Sequence, residues 1–167
     1  GLLTSSPKII RSITNLDEAK EAINFATERG MCIRTIGSKH SHSPILQNSG
    51  GMIITTDDLT GPIAIDREKN TATIPAGMKL SSATKELWKQ GYSFSNQGDV
   101  DVQSIAGLIA TGVHGTGRKP PSISSLVKDV SIMTADNTLL QAATNPDIRE
   151  ADRLNLGLHG HTGYVTT

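Results

Sequence analysis

The sequence predicts an α+β fold of two small lobes, and three observations support this prediction. First, 167 residues suit one domain with a real core. Second, short apolar runs alternate with stretches of helical spacing, which indicates mixed strands and helices. Third, the 16 glycines cluster in loops, where they permit positive φ and close approach of the backbone to a ligand. We expect a strand-helix-strand lobe over about residues 1–60 and a larger lobe, with a mostly antiparallel sheet and helices, over about 61–167.

The first lobe is predicted to begin with a short strand over residues 8–13. Asn15, with Glu18 three residues later, has the spacing of a capping box and predicts the start of a helix. Gly30 ends that helix, and its inner face holds Ala19, Ala22, Ile23 and Ala26. The apolar run over residues 31–36 follows glycine directly and predicts a buried strand.

Further apolar and alternating runs predict the strands that follow. Residues 52–55 form one apolar run. Two hairpins are then predicted, which pair residues 63–65 with 71–74 around a turn at 66–70, and residues 127–134 with 138–141 around a turn at 135–137. A last strand is expected from Tyr164, after a helical turn or two at residues 147–156.

Two helices are predicted between the hairpins. The first covers residues 79–90 and packs through Leu80, Ala83, Leu87 and Trp88. The second covers residues 104–111, whose apolar and glycine-interrupted sequence suits a short buried helix close to another backbone. Residues 112–121 are then predicted to form a loop.

Composition limits the classes of partner. Sixteen basic residues balance 16 acidic ones, so no net field attracts the chain to nucleic acid or to anionic lipid. The single cysteine, Cys32, excludes an intramolecular disulfide, and its apolar neighbours predict a buried, inert thiol. No stretch has the roughly 18 apolar residues of a membrane span, and residues 1–10 lack the pattern of a signal peptide. We therefore expect a soluble, cytoplasmic protein.

A loop of small and hydroxylated residues follows the second predicted strand. Residues 34–44 read Arg-Thr-Ile-Gly-Ser-Lys-His-Ser-His-Ser-Pro. Such a loop can turn several backbone N–H groups inward as a nest for a pyrophosphate, with hydroxyls as further donors. It is not the dinucleotide fingerprint of a Rossmann fold, because no glycine triplet opens a helix here. The alternative is a plain polar surface loop.

Two glycine-containing segments lie around the second predicted helix. Residues 96–107 read Asn-Gln-Gly-Asp-Val-Asp-Val-Gln-Ser-Ile-Ala-Gly, and residues 110–117 read Ala-Thr-Gly-Val-His-Gly-Thr-Gly. Together they surround His114 with glycine and threonine, so that a flat cofactor could lie there against the backbone. Alternatively, the glycines only serve tight turns and His114 is a hydrogen-bonded packing residue.

In this order, the segments resemble the PCMH-type FAD-binding domain of the vanillyl-alcohol-oxidase superfamily, and in particular gulonolactone, arabinonolactone and alditol oxidases. The matching stretches are residues 34–41, 73–77 with the helix at 80–91, 96–107, 111–117 and 127–136. They cover most of residues 9–142. The resemblance implies a flavin-dependent oxidoreductase of the oxidase type, in which an alcohol carbon gives a hydride to FAD and oxygen reoxidises the flavin.

The resemblance also implies which residues bind FAD. The pyrophosphate loop would comprise Ile36, Gly37, Ser38, Lys39, His40, Ser41, His42 and Ser43, with Lys39 in a position where the family often has glycine. His40 is the candidate for covalent attachment to the flavin 8α-methyl group, with His42 as the second candidate and non-covalent binding as the alternative. The remaining predicted contacts are Asn96, Gln97, Asp99, Gln103, Ser104, Ala106, Gly107, Thr111, Gly112, His114, Gly115, Gly117, Gly160 and His161.

The resemblance weakens near the C-terminus. His159, His161 and Gly163 fall where aliphatic or β-branched residues are expected, which would weaken the last strand. Family enzymes also continue into a cap domain that supplies the substrate pocket and most catalytic residues. We therefore assign no catalytic residue to this chain, and we expect a fragment with little turnover whose partners are FAD and a separate or missing cap domain.

Three rival interpretations remain open at this stage. The chain is a non-catalytic flavoprotein, or half of an enzyme whose cap is a separate chain. Alternatively, His159 and His161, with His40, His42 or His114, form a transition-metal site, since strand residues two apart face the same side. No carboxylate or thiolate cluster accompanies them, so we assign no metal. The last rival is an α+β binding module without a cofactor.

Overall fold

The computed structural model describes residues 4–41, 44–119 and 122–142, and the backbone of Tyr164–Thr166. Its first sheet holds three parallel strands, β1 (Ile9–Ser12), β2 (Ile33–Ile36) and β3 (Met52–Thr55), in the order β1-β3-β2. Helix α1 (Leu16–Glu28) connects β1 to β2. β1 and β2 run parallel on either side of β3, so the chain between them must cross over the sheet. The predicted order of strand, helix and strand is confirmed.

Helix α1 begins where the capping-box spacing predicts. Asn15 Oδ1 accepts a hydrogen bond from the Glu18 amide at 3.0 Å. Glu18 Oε2 accepts in return from the amide of Thr14, at 2.7 Å, one residue before the cap. The predicted inner face is buried, as Ala19, Ala22, Ile23 and Ala26 pack into the first core cluster. Asn15 thus satisfies one of the amides that the first turn leaves unpaired.

The prediction of a buried strand at residues 31–36 was only partly right. The strand exists, but only Ile36 in it is buried, whereas Arg34 and Thr35 are exposed. Cys32, predicted to be buried, is exposed as well. The reason is topology: β2 lies at the edge of the sheet, while β3 is central and buries Met52, Ile53 and Ile54.

The remaining strands form two separate antiparallel sheets. β4 (Ala64–Asp66) pairs with β5 (Thr71–Thr73), and β6 (Ser131–Met133) pairs with both β7 (Leu139–Gln141) and β8 (Tyr164–Thr166). Both predicted hairpins and the last strand are therefore present. The two turns place Asn70 and Asn137 at positive φ, which asparagine tolerates better than most residues. The helical turn predicted at residues 147–156 lies outside the described residues.

Both predicted helices are present as α2 (Leu80–Lys89) and α3 (Ile105–Thr111). Leu80, Ala83 and Leu87 are buried as predicted, but Trp88 is 74% exposed. The prediction for Trp88 was wrong because one residue turns the helix by about 100°, which moves Trp88 off the stripe that Leu87 shares. Among the described residues, no helix has the length and apolar character to cross a membrane.

Two main core clusters hold these elements. The first lies between α1 and the parallel sheet and also takes in Met133 from β6. The second packs α2 against α3, through Leu80, Ala83, Leu87, Ile105 and Leu108 among others. Because α2 and α3 share one core, the loops before them are held close to each other. That position defines the candidate site.

Candidate cofactor-binding site

The loop after β2 opens with Gly37, which lies against Ser104, the residue preceding α3. A Cβ atom at position 37 would lie 2.3 Å from Ser104 Oγ. Ser104 is 4% exposed, and its side chain makes no capping hydrogen bond to α3. The loop after β2 is therefore in close contact with the residue before α3, and a side chain at position 37 would have to displace Ser104 Oγ.

Lys39 has a backbone conformation that usually belongs to glycine. Its φ is +58°, in the left-handed region, which few residues other than glycine occupy. The loop thus keeps, with lysine, the turn that glycine would make there. Left-handed residues in short loops contribute to backbone nests that bind anions. Lys39, His40 and Ser41 are exposed, and His42 and Ser43 lie outside the described residues.

Lys79 connects this loop to two other segments. Its ammonium donates a hydrogen bond to Ser38 Oγ at 2.9 Å and forms an ion pair with Asp57, in the segment after β3. Its backbone forms an isolated antiparallel bridge with Ser104. Neither Lys79 nor Asp57 was among the predicted site residues, because their contacts join segments far apart in sequence and leave no local pattern.

Backbone hydrogen bonds hold the starts of α2 and α3 together. The amide of Leu80 donates to Gln103 O, and the amide of Ile105 donates to Met78 O, both at 2.9 Å. Gly77 lies directly against the backbone after β3, where a Cβ would be 1.8 Å from Thr56 O. These contacts form a rigid base on which the Gly37 loop rests.

The two glycine-containing segments, residues 96–107 and 110–117, also contact each other. Asn96 Oδ1 accepts a hydrogen bond from the amide of Gly115 at 3.2 Å. A Cβ at Gly115 would lie 2.4 Å from Gln97 O, and one at Gly98 would lie 2.6 Å from a methyl carbon of Val113. Glycine at these two positions allows the two loops to approach within backbone contact.

Helix α3 presents small groups on its outer side. Gly107 and Thr111, one turn apart, are exposed, while Ile105 and Leu108 are buried on the other side. Thr111 Oγ1 donates to Gly107 O at 2.9 Å. Gly112 ends the helix at φ +63°, and the chain then leads to the exposed His114. A flat ligand could therefore approach the α3 backbone without meeting a bulky side chain.

His114 makes a local contact. Its Nδ1 lies 3.0 Å from Gly115 O, and because a carbonyl oxygen only accepts, Nδ1 is the donor. That bond fixes the orientation of the ring beside the Asn96–Gly115 contact. This geometry agrees with a structural part for His114.

The structure thus brings the predicted residues into two neighbouring groups. The first contains Gly37, Ser38, Gln103, Ser104, Ala106 and Gly107, and the second contains Asn96, Gln97, Gly115 and His114. Helix α3 and the residues before it connect the groups. Asp99 and Gly117 lie in the same two loops and are exposed. Gly160 and His161, like His42 and Ser43, lie outside the described residues.

The donor set of the first group suits a phosphate-bearing ligand. It combines serine hydroxyls, one of which accepts a hydrogen bond from Lys79, with the amides of a loop that contains a left-handed residue. The second group and α3 offer exposed backbone and small side chains, which suit a flat ring. These residues therefore fit a cofactor that carries both a pyrophosphate and a planar ring system.

The acidic groups with lowered pKa lie elsewhere, in the hairpin turns. Hydrogen bonds from the backbone and side chain of Lys69 lower the pKa of Asp66. The Thr134 hydroxyl and the Thr138 amide lower the pKa of Asp136. Both carboxylates stabilise their turns. Within the described part of the chain, no group of three metal-ligating side chains occurs.

Comparison with known proteins gives a consistent result. Residues 7–143 match a family described as FAD binding domain. Over 163 residues the chain is 31% identical to L-gulonolactone oxidase of Mus musculus, covering 96% of this chain and 37% of that protein. Over 169 residues it is 33% identical to L-gulono-1,4-lactone dehydrogenase of Mycobacterium tuberculosis, covering 99% of this chain and 38% of that protein.

Solved structures share the fold. The 6-hydroxy-D-nicotine oxidase from Arthrobacter nicotinovorans superposes with a TM-score of 0.82 at 20% identity, covering 99% of this chain and 36% of that one. At this identity the likeness concerns the fold alone. The chain spans less than two fifths of the length of the relatives it matches.

Proposed function

This chain belongs to the FAD-binding domain family, and on that premise we propose that it holds the flavin of an oxidoreductase that oxidises an alcohol carbon of a sugar lactone or a polyol. The observation that carries the proposal is the contact of the Gly37 loop with Ser104, reinforced by the Lys79–Ser38 hydrogen bond. It joins a phosphate-binding donor set to a surface of exposed backbone. In FAD, a pyrophosphate and a flat flavin ring are joined in one molecule, which matches these two parts of the site.

Each group of residues is proposed to bind a different part of FAD. Ser38, Ser41 and the amides of the loop bind the pyrophosphate, with Lys79 behind them. Asn96, Gln103, Ser104, Gly107 and Thr111 contact the ribityl chain and the ring. When bound, the flavin supplies the redox chemistry, as it accepts the hydride of the alcohol carbon. The chain contributes orientation and a polar, hydrogen-bonded environment.

His40 is proposed as the site of covalent attachment to the flavin. It is exposed on the pyrophosphate loop, and neutral imidazole is a competent nucleophile. The test is acid precipitation of the flavin-loaded chain and of its His40→Ala variant. Flavin that stays with the wild-type pellet but leaves the variant supports the attachment. Flavin released equally from both shows that binding is non-covalent, and the fold assignment stands.

Substrate recognition is proposed to reside in a second domain. The relatives named as lactone oxidase and lactone dehydrogenase are more than twice as long as this chain, so most of their length has no counterpart here. We propose that the lactone or polyol pocket lies in the length that these relatives have in addition, and that residues 1–167 alone have little turnover.

The substrate class is tested by anaerobic mixing. The flavin-loaded chain is mixed with L-gulono-1,4-lactone or xylitol, and loss of the visible flavin absorption reports reduction. We expect no reduction by the chain alone, and reduction after addition of a separately purified cap domain from a relative. Normal turnover by the chain alone would contradict the assignment of the pocket to a second domain. Failure of every lactone and polyol with the cap domain present would contradict the substrate class.

A further inference from the structure

Lys79 contacts both the loop that begins at Gly37 and the residue before α3. Its ammonium lies 2.9 Å from Ser38 Oγ, within the loop proposed to bind the pyrophosphate. Lys79 stands directly before α2 and bridges Ser104 through its backbone. It is only partly exposed, so the ammonium is held between the cofactor loop and the base of the site.

The direction of the Lys79–Ser38 hydrogen bond has a consequence for Ser38. An ammonium has three donors and no acceptor, so Ser38 Oγ accepts in this bond. A serine hydroxyl has one proton, which must then point away from Lys79. An acceptor on the other side of Ser38, such as a phosphate oxygen, would receive that proton. Without the hydrogen bond from Lys79, the Ser38 hydroxyl could point its proton in any staggered direction.

We propose that Lys79 is a positioning residue: by donating to Ser38 Oγ, it turns the Ser38 hydroxyl into a donor fixed toward a pyrophosphate oxygen of FAD. This inference rests on the proposed function, since it presumes that the Gly37 loop binds the pyrophosphate. It concerns a residue that the sequence does not single out. Lys79 acts through Ser38 and does not itself contact the cofactor.

The ion pair with Asp57 indicates that Lys79 orients Ser38 and does not attract the pyrophosphate by its own charge. Asp57 and Lys79 are paired, with side chains 42% and 32% exposed, so the positive charge of Lys79 is already compensated. Two contacts also hold the ammonium in place, which lowers the conformational entropy lost when the ligand binds. The Lys79–Ser38–Asp57 group is thus arranged before the ligand arrives.

The test compares FAD with riboflavin, which lacks both the pyrophosphate and the adenosine of FAD. FAD and riboflavin are titrated into the full 167-residue chain and into Lys79→Met, Ser38→Ala and the double variant, with flavin fluorescence as the readout. All of these chains also carry His40→Ala, so that binding is reversible. We expect each single variant to bind FAD about tenfold more weakly, as for loss of a charge-assisted hydrogen bond, with riboflavin affinity unchanged. The double variant should bind FAD no more weakly than the weaker-binding single variant, because both substitutions remove the same donor, the oriented Ser38 hydroxyl.

Other outcomes overturn the inference. Equal weakening of FAD and riboflavin would show a purely structural part for Lys79, and additive losses in the double variant would show that Lys79 acts independently of Ser38. Lys79→Arg, which keeps a cationic donor, should bind FAD within about threefold of wild type. If Lys79→Met fails to fold, Lys79→Arg and Ser38→Ala still test the inference. Ser38→Ala must then bind FAD more weakly than wild type does, while its affinity for riboflavin stays unchanged. A wild-type chain that binds no FAD would instead refute the proposed function itself.

Discussion

Gly37 and Ser104 lie so close that a Cβ at Gly37 would be 2.3 Å from Ser104 Oγ. The pair joins the loop after β2 to the start of α3, and so connects the two parts of the candidate site. A side chain at position 37 would displace Ser104 Oγ, and its Cβ would still lie 3.1 Å from Ser104 Cβ. The requirement for glycine there is steric, since its φ is not in the left-handed region.

Gly37→Ala should therefore lower both stability and FAD affinity. The added methyl group must push Ser104 or the loop aside, which typically costs about 1–3 kcal/mol. Urea unfolding measures the change in free energy. Gly61→Ala is the matched control, because its Cβ would lie at an ordinary 3.8 Å from Pro75 Cγ. Equal stability of the two variants would contradict the tight contact at Gly37.

Gly115→Ala should separate the loops around Asn96 and His114. Its Cβ would lie 2.4 Å from Gln97 O and 2.5 Å from Asn96 Oδ1, and the carbonyl cannot move without its loop. We expect weaker binding of riboflavin as well as FAD, because this group is proposed to face the ring. Fluorescence titration of both ligands measures the effect. If only the affinity for FAD fell, this loop would have to contact the pyrophosphate and not the ring.

Local sequence signals predicted much of the fold. Asn15 and Glu18 begin α1 through contacts within five residues, and Asn70 and Asn137 mark turns that their own conformations explain. The two wrong predictions of burial, at Cys32 and Trp88, have a common cause. An apolar run does not reveal whether a strand is central or at an edge, nor which side of a helix its neighbours cover.

Acid should weaken the β6–β7 turn through Asp136. Its pKa is lowered from the ordinary 3.8 by the Thr134 hydroxyl and the Thr138 amide. The stabilisation is therefore present above the unfolded pKa and is lost as the pH falls through the lower folded value. Asp136→Asn should unfold at a lower temperature than wild type at about pH 6, and the difference should become smaller toward about pH 3 as the carboxylate is protonated.

The control for this pH series is Glu21→Gln, which removes an exposed carboxylate from the middle of α1. It measures the general effect of losing one carboxylate charge, with which the result for Asp136→Asn is compared. If Asp136→Asn follows wild type at both pH values, the hydrogen bonds from Thr134 and Thr138 do not stabilise the folded state.

Cys32 should react in the folded protein. The thiol is exposed, just before the edge strand β2. A chromogenic disulfide reagent should therefore titrate one thiol per chain without denaturant, at a rate close to that of the unfolded chain. Reaction only after addition of urea would show that the thiol is buried, as the apolar run alone suggested.

The candidate site was predictable in part. The glycine and serine loops identified residues such as Gly37, Ser38 and Ser104, because close backbone approach restricts the residue types that fit. Lys79 and Asp57 escaped, because an ion pair between distant segments has no sequence pattern. They meet because the segment before α2 lies against the segment after β3, where Gly77 contacts Thr56 O.

The decisive experiment is a titration with FAD of the purified chain carrying His40→Ala, which cannot attach flavin covalently at that residue and can be freed of bound flavin. Quenching of flavin fluorescence reports binding, and flavin absorption retained after desalting gives the stoichiometry. We expect saturable binding of one FAD per chain, weakened by Gly37→Ala and retained by Gly61→Ala. A chain that is folded by circular dichroism but takes up no FAD would contradict the assignment of the Gly37–Ser104 region as a flavin site.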